Sequence, residues 1–126
     1  MDKLKNYNRL KKLAFQKGAV LFGVADSNRI KSRVHLENEL IKKLPYAISL
    51  SVKVSSTVLE EIETHPTKLY FHHYRALNQM LDQIALLLVS FMEQKGFNAL
   101  PIPASQIIDW EKQFGACSHK EIAHLA

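Results

Sequence analysis

One stretch, YFHHYRALNQMLDQIALLLVSFMEQKG (residues 70–96), constrains the rest of this chain more than any other. Tyr70, Tyr74, Leu77, Leu81, Ile84, Leu88 and Phe91 recur at the three- and four-residue spacing of a single helix face, through about six turns. Gly96 then supplies a stop. A helix so apolar on one side is expected to be the central packing element of the fold. Its longest nearly uncharged run, IALLLVSFM, is far short of the ~20 apolar residues that a membrane span needs.

The segments around it divide into short, recognisable elements. Leu4, Tyr7, Leu10, Leu13 and Ala14 describe an amphipathic first helix, ended by the cation–glycine pair Lys17-Gly18. AVLFGVAD (19–26) reads as a buried strand, with Gly23 marking a bulge or a close approach. Residues 29–44 read as a helix broken at Leu44-Pro45, and YAISLSVKV (46–54) as a second strand. A short helix follows, with Thr57 and Glu60 as its capping box and Pro66 as its end. FNALPIPAS (97–105) reads as a third strand. At 126 residues, with no repeat and no linker, the expectation is a single domain spanning 1–126. Its class is α/β or α+β, a mixed β-sheet flanked by helices.

Charge and cysteine content narrow the function classes. The net charge is +5, and six cations among the first seventeen residues (Lys3, Lys5, Arg9, Lys11, Lys12, Lys17) face only Asp2. Such a helix is either a solvated face or a surface for RNA or another anionic partner. A single cysteine excludes an internal disulfide framework and suits a reducing, cytoplasmic setting. No signal-peptide pattern, dinucleotide fingerprint, P-loop, nucleophile elbow or zinc-finger spacing is present.

Two histidine-containing stretches invite a chemical reading. In GACSHKEIAHLA (115–126), Ser118 and Glu121 form a capping box that starts a helix at His119, with Cys117 as a staple packing on Ile122. His119 and His124 then lie about 140° apart around that helix, so they cannot share one ion, and no metal site is expected. In LYFHHYR, His73 lies beside Tyr74, whereas His72, Arg75 and Gln79 fall on a more polar face. This is either a core tyrosine with solvated histidines or a rim of aromatic and cationic groups that grips an anionic or flat polar ligand. Asp109, near Trp110 and Glu111, is the one candidate proton donor, without an identifiable partner.

The order GAVLFGVAD, LPYAISLSVKV, PTKLYFHHYRALNQMLDQIALLLVSFMEQKGFNALPIPASQ and SHKEIAHLA resembles the N-terminal part of the epoxyqueuosine reductase-like iron–sulfur proteins, over nearly the whole chain. The resemblance implies a domain similar to cobalamin-processing, nitroreductase-like folds. It also implies an oxidoreductase that reduces an epoxide in a tRNA wobble nucleoside, using cobalamin and two iron–sulfur clusters. On that basis His73, Tyr74 and Arg75 are expected at the cofactor, with Pro103, Ala104 and Ser105 lining the strand exit.

Two departures qualify the likeness. One cysteine cannot supply the four thiolates of a cluster, so electron delivery would lie outside this chain. The family's Val-Asp-Ser/Thr-x-Pro stretch, which provides the acid, is matched by PIPAS, which has no carboxylate. The family's SHK helix runs into Ala-Gly-Leu-Gly, and this chain ends at Ala126. The expectation is therefore an N-terminal portion, inactive alone, that dimerises through surface left open by the missing region. The alternative is a non-catalytic module that binds RNA or a protein through its basic first helix.

Overall fold

A computed structural model of the chain describes residues 3–29, 43–65 and 67–104. In chain order these form α1 (Lys3–Gln16), β1 (Leu21–Asp26), a 3-10 turn (Ser27–Arg29), β2 (Tyr46–Ser51), α2 (Ser56–Glu60) and α3 (Lys68–Gln94). The class is α+β. Of the helix expected over 29–44, residues 30–42 lie outside the described residues, as does everything expected beyond Ala104; Arg29 closes the 3-10 turn and residues 43 and 44 are not helical.

Both long helices end in the same way. Beyond α1, Gly18 N–H donates to Phe15 C=O and Ala19 N–H to Ala14 C=O; beyond α3, Gly96 N–H donates to Glu93 C=O and Phe97 N–H to Met92 C=O. These are paired Schellman closures, which satisfy the last carbonyls of each helix. They require a left-handed residue, and the two glycines supply it at φ 116° and 87°. At Gly18 the absent side chain leaves a notch that the Met80 methyl group of α3 fills.

The two strands pair antiparallel in unbroken register, from Leu21 opposite Ser51 to Asp26 opposite Tyr46. Gly23 sits opposite Ser49 within that register, so the expected bulge is absent. The sheet is antiparallel among the described residues and not mixed, because residues 97–104 do not join it. Pro101 and Pro103 have no N–H to offer a ladder, and the Ala104 N–H is donated to a side chain of α3 instead.

Alternation places Phe22, Ile48 and Leu50 on one sheet face, where they pack under Leu10 and Ala14 of α1 and Ile84 and Leu88 of α3. Tyr7 meets the edge of Phe22 with ring centroids 5.4 Å apart and fixes α1 on β1. On the other side of the strand pair, Ser27 pins the entry to β2: its Oγ donates to Leu44 C=O and its N–H to Pro45 C=O at 2.9 Å. Along α3 full burial is confined to the second half, at Ile84 and Leu88 of the stripe and at Val89 on another side of the helix. Tyr74, expected in the core, is 49% exposed because the sheet and α1 reach only the later turns.

Candidate functional site

The start of α3 is built by its cap. Thr67 Oγ1 accepts from Tyr70 N–H at 3.1 Å, which ties off one of the free donors of the first turn. From that fixed start the aromatic side chains fan outward. Tyr70 lies between Phe71, at 6.0 Å and 68°, and Tyr74, at 6.4 Å and 32°. Phe71, Tyr74 and the neighbouring Leu69 are exposed. The result is an open aromatic surface beside the exposed His72 and Arg75.

His73 faces the other way. Its Nε2 accepts a hydrogen bond from the backbone N–H of Ser55 at 2.9 Å. Ser55 is also the N-cap of α2, its Oγ accepting from Val58 N–H. This corrects the capping box expected at Thr57. With Nε2 as acceptor the ring is the neutral tautomer that carries its proton on Nδ1, which is the ring nitrogen left for any further partner.

The strand-exit residues are held by a second clasp. Ala104 N–H donates to Asp82 Oδ1 at 2.8 Å, so the segment after α3 doubles back to the middle of that helix. Arg75 lies seven residues before Asp82, a rotation of only about 20° and a rise of about 10 Å. His73, nine residues before it, points about 180° away. The structure therefore brings Arg75 and Ala104 to one side of α3, two turns apart, with Tyr74 at its edge and Pro103 exposed nearby. His73 is turned toward α2. Ser105 and Asp109 lie outside the described residues, as do Trp110, Glu111, Cys117, His119 and His124.

A corrin is a large flat ligand, and ligands of that kind are held in concave sites that bury most of their surface. The described residues present an open, convex helix side. By themselves they do not enclose such a group. No cluster of three or more metal-ligating side chains occurs among the described residues.

A different surface lies on α1. The helix carries five cations and no acid, and Lys5, Arg9 and Lys12 recur on its exposed face at i, i+4 and i+7. Two shallow depressions run along this side, one lined by Leu4, Lys5, Asn8, Arg9 and Lys12, the other by Asn8, Lys11, Lys12, Phe15 and Gln16. Lys11 is not simply solvated: its Nζ lies 5.9 Å from the Tyr7 ring centroid and 5.5 Å from that of Phe15. No helix among the described residues is long and apolar enough to cross a membrane.

Ser55 and Asp82 are the working residues that the sequence reading missed. Ser55 is masked by its neighbours, since Ser55, Ser56 and Thr57 are all cap formers. Asp82 had a visible signal, being the one charged residue between Arg75 and Glu93.

Comparison with known proteins gives no matching family model, and no curated protein or solved structure matches the chain.

Proposed function

We propose that this chain is the N-terminal, cofactor-facing part of an epoxyqueuosine reductase-like iron–sulfur oxidoreductase, inactive alone, with its exposed Tyr74–Arg75 surface forming one wall of a site for a cobalamin-type cofactor. The observation that carries the reading is the juxtaposition on α3 of an open aromatic cluster, a cation and the returning Pro103–Ala104 segment. The segment order that resembles the family supports it from the sequence side. Within this wall, Tyr74 and Phe71 offer flat apolar surface and Arg75 a planar set of donors for an anionic or amide group. His73 would act through the position of α2, since its Nε2 is already engaged. Cluster chemistry would come from thiolates that this chain lacks.

The test is a titration with cob(II)alamin followed by ultraviolet–visible absorption. A saturable spectral change that weakens in Arg75→Ala is expected. No change at high micromolar cofactor would defeat the proposal.

The basic face of α1 favours a second reading, an RNA-binding module. Its contacts would be with phosphates, so binding to tRNA should fall steeply with salt. Reversing Lys11 and Lys12 together should abolish the shift. Because Lys11 packs over two rings, reversal of Lys5, Arg9 and Lys12 separates lost charge from lost packing.

A further inference from the structure

The outward face of α1 exposes apolar side chains as well as charge. Leu10 and Ala14 turn into the core and Tyr7 lies on Phe22, which leaves the opposite side of the helix to solvent. On that side Leu4 is 68% exposed and Phe15 41%. They are eleven residues apart, about 20° of rotation and about 17 Å along the axis, so they stand in line near the two ends of the helix. Asn8 lies between them, and the two shallow depressions share Asn8 and Lys12. One continuous strip therefore runs from Leu4 to Phe15.

Cations flank this strip on both sides. Lys5, Arg9 and Lys12 are exposed along one side, and on the other the Lys11 Nζ stands 5.5 Å from the centroid of the Phe15 ring. From Lys11 round to Arg9 the set occupies about 160° of the helix circumference, so one flat surface can meet it. The helix carries no acid, so this face repels a second copy of itself and attracts an anionic partner. The apolar pair decides which. A nucleic-acid backbone presents phosphates and sugars, to which an exposed leucine adds little. An anionic bilayer presents headgroups to the cations and, just beneath them, acyl chains to Leu4 and Phe15. Lysine stems can lie on that apolar layer while their ammonium groups stay among the headgroups.

We propose that α1 seats the chain on an anionic lipid bilayer, its axis in the membrane plane, with Lys5, Arg9, Lys11 and Lys12 at the headgroups and Leu4 and Phe15 as shallow anchors. The contact is peripheral, with the helix lying on the bilayer and not crossing it. The inference goes beyond the RNA reading of the same face and does not rest on the cofactor reading.

Flotation of the full chain with lipid vesicles tests it. The chain should float with vesicles of equal parts phosphatidylglycerol and phosphatidylcholine, stay behind with phosphatidylcholine alone, and lose binding as salt is raised. Arg9→Glu with Lys12→Glu should weaken the association at least about tenfold. Leu4→Gln with Phe15→Gln should weaken it about tenfold at constant charge, and should leave binding to tRNA unchanged. Because Phe15 packs under Lys11, Leu4→Gln alone is the cleaner arm: it should cost severalfold in vesicle binding with an unchanged circular dichroism spectrum, since that side chain faces solvent. A chain that fails to float with the phosphatidylglycerol vesicles at low salt overturns the proposal, as does flotation that the charge reversal leaves intact. Flotation indifferent to both glutamine variants overturns it too, and with tRNA held by the same cations would assign the face to RNA.

Discussion

The His73 imidazole and the Ser55 backbone amide, eighteen residues apart in the chain, are joined by a 2.9 Å hydrogen bond that couples the cap of α2 to the second turn of α3. The bond is partly buried, so removing the acceptor leaves a donor that water reaches poorly. His73→Ala should destabilise the fold by about 1–2 kcal/mol in urea denaturation and speed hydrogen exchange at the Ser55 amide. Nitrogen-15 shifts of the His73 ring should report an unprotonated Nε2; an Nε2–H tautomer would contradict the bond.

Thr67 starts the helix on which everything else is mounted. Thr67→Ala should cost about 1 kcal/mol, and Thr67→Ser should recover most of it, because only the hydroxyl oxygen is needed. Thermal unfolding of the two variants side by side checks this. Equal losses would mean that the methyl group, and not the cap, matters.

Burial along α3 is graded, and so should be its mutational cost. Leu88 is buried against α1, and Leu88→Ala should lose about 2–5 kcal/mol. Leu69, exposed in the first turn, should tolerate alanine within about 0.5 kcal/mol. Chemical denaturation of both variants gives the comparison. Similar losses at the two sites would show that the first turn is covered in solution.

Lys3 is held above its ordinary value of 10.5 by a hydrogen bond with the Tyr46 hydroxyl, then by attraction to that group's charge, against a smaller loss from desolvation. A raised lysine stabilises the fold fully below its unfolded value and loses that contribution as pH rises through the folded one. Melting temperature should therefore fall slightly more at strongly alkaline pH in the wild type than in Tyr46→Phe. Parallel melts of the two proteins at neutral and alkaline pH test the sign. The side chain is fully exposed, so a small effect is expected.

The helices were legible because their information is local and repeated. In α1 and α3 the apolar period, the stop residues and the glycines agree, and the ends fall where Lys17-Gly18 and Lys95-Gly96 place them. The strand pair was legible from its apolar runs. What could not be read was decided by tertiary contacts. Residues 97–104 have strand-like composition, but their path is set by the bond from Ala104 to Asp82, which no periodicity encodes. Among Ser55, Ser56 and Thr57 the cap falls on Ser55, the residue whose amide His73 also takes. The candidate site was legible as a list of residue types but not as a geometry. Neighbours in sequence, His73 and Arg75 are sent to different sides of α3, one toward α2 and the other toward solvent.

The notch at Gly18 carries a dependence that runs in one direction. The glycine is required by its own backbone, at a φ of 116°, whatever stands opposite. Met80 is different: it fills the notch because the notch exists, with a thin, flexible end that a branched side chain cannot imitate. Among descendants of this sequence, position 18 should stay glycine while position 80 drifts, and the drift should be confined to long unbranched side chains. Such one-sided constancy is the evolutionary trace of a helix ending whose empty space its neighbour has occupied.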